Sequence, residues 1–214
     1  VYMKRDETKK IMQRLKLNED FVSTEQIRMI RTKVDQVSSR KSSLFMLTSP
    51  NYDGEKSIIS AKLAISYAEQ GKKVLLVDAN IRRPSLHNWF QLTNESGLTN
   101  VILNNEEIQL YYKETLVPGL DVLPAGPSPL NLSDIWVTSK IEEMVRKCKA
   151  EFEVVIFEAP PFLTASDSQI LANQCDGVIL VVKANKTKKE DTFKTKDSLE
   201  RTNNRIVGVI YQTG

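Results

Sequence analysis

Four polar side chains stand where strands end, and together they suggest phosphate chemistry. Lys56 and Ser57 lie in the stretch SPNYDGEKSIIS, between an apolar run, Leu44-Phe45-Met46-Leu47, and a helical pattern that begins at Ile58. Asp78 closes the run Lys-Val-Leu-Leu-Val-Asp, and Glu158 closes Val-Val-Ile-Phe-Glu. A lysine followed by a hydroxyl, at the mouth of a strand–loop–helix unit, is built for a nucleotide. The ammonium reaches terminal phosphates and the hydroxyl ligates Mg²⁺. Carboxylates at Asp78 and Glu158 add hard oxygen donors for the same cation, and Asp78 is a candidate general base. Gly54 is the only glycine left in the loop and joins Lys56 and Ser57 as a nucleotide-binding candidate. Each residue alone has a plainer reading. An Asp after a strand often caps a turn, a Glu at a strand end is often solvated, and Lys-Ser opens many helices. Their shared order along one strand–helix framework points to chemistry.

Such a site needs parallel strands that end on a common rim. Spacing of Ile27, Ile30, Val34 and Val37 predicts an amphipathic helix from residue 24. Strands are expected at 44–48, 73–78, 120–123, 153–157, 177–183 and 205–211, and helices at 56–70, 139–150, 166–173 and 187–202. Gly71 suits the end of the first of these helices. The apolar strands read as buried on both faces, as parallel strands are. Six strands separated mostly by helices indicate an α/β fold: a doubly wound, mostly parallel sheet flanked by helices, with ligands beyond the carboxyl ends of its strands. The expected organisation is an N-terminal arm over 1–22, polar and basic, and one domain over 23–214.

Composition narrows the function classes. With 214 residues and a net charge of +3, the chain can bury a full core and lacks the basic excess of a dedicated nucleic-acid binder. No apolar run reaches the ~18–20 residues that span a bilayer, and no signal peptide is expected from the charged start. Cys148 and Cys175 read as free thiols, and the lone histidine, His87, argues against a His/Cys metal site.

Several stretches then carry a resemblance. Ser23 to Thr32 fits a Glu-x-x-Arg-x-x-Arg helix through Glu25, Arg28 and Arg31. GKKVLLVDANIRRPSLH at 71–87 fits the strand with a modified Walker motif, and LDVLPAGPSPLNLSDI at 120–135 fits a Gly-Pro-x-Pro-x-Asn segment. Gly97-Leu98-Thr99, Asp167 to Leu171 and Asp176-Gly177-Val178 follow in order. From about residue 23 onward the chain resembles the bacterial tyrosine kinases of capsule and exopolysaccharide synthesis, which are P-loop ATPases. The resemblance implies ATP and Mg²⁺ as cofactors if the protein is active, with Gln212 near the adenine. It implies a cytoplasmic place at the inner face of the plasma membrane and a membrane polysaccharide co-polymerase as partner. It also implies self-association through Glu25, Arg28 and Arg31.

Departures from the family pattern fall on the ATP site. The family loop Pro-Gly-x-Gly-Lys-Ser/Thr-Thr is here Tyr52-Asp53-Gly54-Glu55-Lys56-Ser57-Ile58. Glycine serves there by adopting positive φ and letting N–H groups approach phosphate. Asp53 and Glu55 instead bring negative charge. At an effective dielectric of ~20, two unit charges 4 Å apart repel by about 4 kcal/mol, roughly a thousandfold in affinity. Asn80 replaces the second Asp of an Asp-x-Asp motif, Glu158 replaces the Asp that ends a Walker B strand, and Gln212 replaces an Asn. No tyrosine cluster closes the sequence. The expectation is a kinase-like protein with impaired or lost ATP binding, acting as a regulatory or assembly partner. The alternative is an active autokinase using Lys56, Ser57, Asp78 and Glu158. In the impaired state, Asp53 or Glu55 is expected to fill the loop and pair with Lys56.

Overall fold

The computed structural model describes residues 24–36, 42–52 and 56–213. The expected N-terminal arm and the loop residues Asp53, Gly54 and Glu55 lie outside them. Helix α1 (Thr24–Asp35) comes first, then strand β1 (Ser43–Thr48) and helix α2 (Lys56–Ala68). Strand β2 (Val74–Asp78) follows, then the short helices α3 (Leu86–Phe90) and α4 (Leu98–Asn104) and strands β3 (Lys113–Glu114) and β4 (Leu120–Leu123). Helix α5 (Thr138–Glu151) precedes β5 (Val154–Glu158), α6 (Ser166–Ala172) precedes β6 (Gly177–Lys183), and α7 (Lys189–Arg201) precedes β7 (Ile206–Gln212).

These strands form one sheet in the order β3-β4-β2-β5-β1-β6-β7, with every described pairing parallel except β3 with β4. The α/β, mostly parallel reading from sequence holds, with β3 as an additional antiparallel edge. All residues of β1, β2, β5 and β6 are buried, because helices cover both faces. Side chains alternate between two cores, as the pleat dictates. Phe45, Leu47 and Ile156 face α1 and α2 with Ile59, Leu63 and Tyr67. Leu44, Met46 and Phe157 face the other layer with Ile102 and Met144.

Helix α2 is buried almost all round, with 12 of its 13 residues out of solvent, so it forms the central post behind the site. Gly71, at φ +80°, turns the chain after it, and its N–H bonds the Ala68 carbonyl at 2.9 Å. Gly97 works by close approach instead: a Cβ there would sit 2.0 Å from the Pro124 carbonyl oxygen. That contact lets Leu98 and Thr99 N–H groups bond Pro124 and Ala125 carbonyls, tying α4 to the chain after β4. Both cysteines are free thiols, as expected.

Helix α1 buries Ile27 and Val34. The Arg31 guanidinium donates to the Ser66 carbonyl at 2.7 Å and accompanies the Ser66 hydroxyl at 2.8 Å, fastening α1 to the last turn of α2. Glu25 and Arg28 pair at 2.7 Å on the exposed side. Of the three residues expected at a subunit contact, Arg31 is therefore engaged within its own chain.

Candidate functional site

Topology sets the site. In the sheet β5 lies between β2 and β1, and the register places Asp78 opposite Glu158 and Glu158 opposite Leu47. Adjacent strands run ~4.8 Å apart, so the two carboxylates project from neighbouring strand ends at one rim. The chain leaving β1 enters α2 directly above them, bringing Lys56 and Ser57 to the same place. Three of the sequence-derived groups, Lys56, Ser57 and Glu158, line one cleft of about 270 Å³, together with Ser49, Tyr52, Asn80, Arg83 and Ser85.

The Lys56 ammonium forms an ion pair with the Glu158 carboxylate, and both side chains are buried. The sequence also led to the expectation of a Lys56 pair with Asp53 or Glu55; those two residues lie outside the described chain. Asp78 is fully buried. One of its oxygens accepts from the Asn80 N–H at 3.2 Å, and the other accepts from Ser85 N–H at 2.8 Å and Leu86 N–H at 3.0 Å. It thus serves the first turn of α3, where amides lack helical partners. Burial, and then the negative charge of Glu158, push its pKa up to about 7 against the opposing pull of those N–H groups. The Ser57 and Ser85 hydroxyls lie 2.6 Å apart.

At the cleft mouth the Arg83 guanidinium lies 4.5 Å from the Tyr52 ring centroid, a cation–π contact. Arg82 pairs instead with buried Asp167 at 3.3 Å. Gln212 is buried at the end of β7, two strands beyond β1, and does not line this cleft. Gly54 is outside the described residues. Ser85, Arg83 and Tyr52 were not singled out from sequence as site residues. A serine seven positions after a strand-ending Asp, just ahead of Leu86 and Phe90, is the signal that could have marked Ser85 as a helix start.

Chemically, the donor types suit Mg²⁺, and a like-charged carboxylate pair is what a dication relieves. Each of them has a protein partner in this arrangement. Ser57 is bonded to Ser85, Asp78 spends both oxygens on backbone N–H groups, and Glu158 holds Lys56. Among the described residues no three His, Cys, Asp or Glu side chains gather in a metal-binding group. Ser57, Asp78 and Glu158 are the groups that would hold Mg²⁺ here, with Lys56 toward the phosphates.

Comparison with known proteins agrees with the fold. A family model described as an AAA domain matches residues 54–205. The chain is 37% identical over 190 residues to the tyrosine-protein kinase YwqD of Bacillus subtilis, covering 88% of this chain and 80% of that protein. Among solved structures, the chimerical protein CapA2B2 superimposes with a TM-score of 0.81 at 30% identity, covering 87% of this chain and 83% of that one. The kinase domain of Escherichia coli tyrosine kinase ETK gives a TM-score of 0.82 at 25% identity, covering 88% and 74%.

Proposed function

This chain belongs to the bacterial tyrosine kinases, a family of P-loop ATPases, and we propose that within that family it is a pseudokinase. On this reading it has impaired or lost ATP binding and serves capsular or exopolysaccharide synthesis as a regulatory or assembly partner of a membrane polysaccharide co-polymerase. The observation that carries the proposal is the buried pair of Lys56 with Glu158. The lysine that should meet terminal phosphates is neutralised by a carboxylate one methylene longer than the aspartate of the family pattern. A polyphosphate must displace Glu158 and also face the charges of Asp53 and Glu55. Asn80 cannot supply the charge of a second aspartate.

Support for a partner role comes from what is kept. The sheet and the exposed Glu25–Arg28 pair are intact while the loop glycines are gone. No helix among the described residues is long and apolar enough to cross a membrane. On this reading the protein works at the inner membrane face beside its partner, with Arg28 as the contact to a neighbouring subunit or to that partner.

One observation favours the active reading, in which Asp78 takes the acceptor proton: a pKa of about 7 suits a general base. Its oxygens, however, already accept from the N–H groups of Asn80, Ser85 and Leu86. Titration calorimetry with Mg-ATP separates the two. Absence of binding up to millimolar nucleotide is expected, and a micromolar dissociation constant overturns the pseudokinase.

A further inference from the structure

Strand β7 closes one side of the sheet, and among the described residues nothing pairs with its outer edge. A register shift at Val178 and Ile179 leaves Val207 out of step with β6, so the regular part of β7 runs from Gly208 to Gln212. In a parallel pair, successive residues turn their peptide groups to opposite sides of the strand. The Gln212 carbonyl accepts from the Ala184 N–H at 2.8 Å, on the β6 side. By alternation Val209 and Tyr211 turn their N–H and C=O groups outward, and these two residues are 57% and 62% exposed. The strand carries no charge and no proline, two of the devices that keep an open edge from pairing with other chains.

A groove of about 220 Å³ runs beside this edge, with Val209, Ile210 and Tyr211 on one side and Met29, Ile30 and Lys33 of α1 on the other. Lys33 is the only charged residue lining it, and no ion pair engages Lys33 among the described residues. We propose that the edge takes an extended segment of another protein as an added strand, one that alternates apolar with polar residues and carries an acid to meet Lys33. Main-chain hydrogen bonds to Val209 and Tyr211 supply the pairing, and the groove receives apolar side chains of the added strand. A second copy of β7 does not answer the lysine, because Ile206–Gln212 holds no acid. The inference goes beyond the pseudokinase reading and does not depend on it.

Fluorescence anisotropy of the full chain at low salt tests the proposal with a labelled peptide, Ser-Val-Thr-Val-Glu-Val-Thr-Val. Saturable micromolar binding is expected, and the same peptide methylated on its amide nitrogens should bind at least about tenfold more weakly, since it cannot donate to the edge. Lys33→Glu should weaken the glutamate peptide by roughly three- to tenfold and favour a peptide with lysine in its place. Hydrogen exchange followed by NMR should slow at the Val209 and Tyr211 amides when peptide is added. Absence of binding overturns the proposal, as does binding that ignores amide methylation or leaves exchange at those two amides unchanged. So does a free chain that sediments as a dimer which excess peptide dissociates, because the edge then belongs to a second copy. Failure here leaves the calorimetric test of ATP binding untouched.

Discussion

The Lys56 ammonium and the Glu158 carboxylate meet at the C-terminal rim of the sheet with their side chains 5% and 1% exposed. A pair buried this deeply is costly to dissect. Removing one partner strands the other in low dielectric, which costs about 3–5 kcal/mol in buried pairs generally. Glu158→Gln is therefore expected to destabilise the fold by about 3 kcal/mol, at the low end because Lys56 borders a cleft and can turn toward water. Urea denaturation measures it. A loss under 1 kcal/mol means the lysine is readily hydrated and the pair is no obstacle to a nucleotide.

Asp78 links the same cluster to pH. Its folded pKa of about 7 lies above its ordinary value, chiefly through burial and then through Glu158. In the window between its ordinary value and about 7 the folded state holds a proton that the unfolded state has released. Stability from this group is then fully present at low pH, falls as pH rises through that window, and levels off above about 7. The three N–H groups on Asp78 oppose the trend without reversing the net shift. Carboxyl ¹³C NMR should show Asp78 titrating near neutrality, and Glu158→Gln should move that titration downward by removing the like charge. A titration at the ordinary carboxylate value in wild type contradicts this.

Arg28 and Arg31 are three residues apart and should behave differently when truncated. Arg31 reaches Ser66 across two helices, so Arg31→Ala removes charge-assisted hydrogen bonds at a part-buried junction. A loss of about 1.5–3 kcal/mol is expected, with faster proteolysis near α1. Arg28 makes an exposed pair with Glu25, and Arg28→Ala should cost at most about 0.5 kcal/mol. Thermal melts of the two variants side by side check this, and equal losses would show that Arg31 is not the fastening.

Much of the sheet was legible because buried parallel strands write themselves as apolar runs. The expected 120–123 and 177–183 match β4 and β6 residue for residue, β1 and β2 differ by one residue at the start, and β5 and β7 lie one residue later at both ends. Helices α3 and α4 were not anticipated. At five and seven residues they span too few turns for a hydrophobic period to emerge. At the site, strand ends marked Lys56, Ser57, Asp78 and Glu158, since chain order alone delivers them to one rim. That Glu158 meets Lys56 was not legible. It depends on the β2-β5-β1 strand order, which sets Glu158 beside the start of α2. Ser85 was invisible for the same reason, its partners Asp78 and Ser57 lying 7 and 28 residues away.

Restoring the ATP site should need changes on both sides of the cleft. Asp53→Gly with Glu55→Gly returns the loop's conformational freedom and removes two charges, each of which repels phosphate by several kcal/mol at close range. In that background Lys56 still has Glu158, so nucleotide must compete with a preformed pair. Glu158→Asp shortens the carboxylate by one methylene and weakens its hold on Lys56. The single Glu158→Asp change is expected to raise Mg-ATP affinity little while the loop charges remain. The loop double variant should raise it measurably, and the triple variant most, by an amount exceeding the sum of the two separate effects, because they act on one lysine and one phosphate group. Titration calorimetry of the four proteins gives that coupling directly. Strict additivity would place the loop and Glu158 in separate roles, and no gain in the triple variant would mean that Ser57's bond to Ser85, or Asn80, closes the pocket instead.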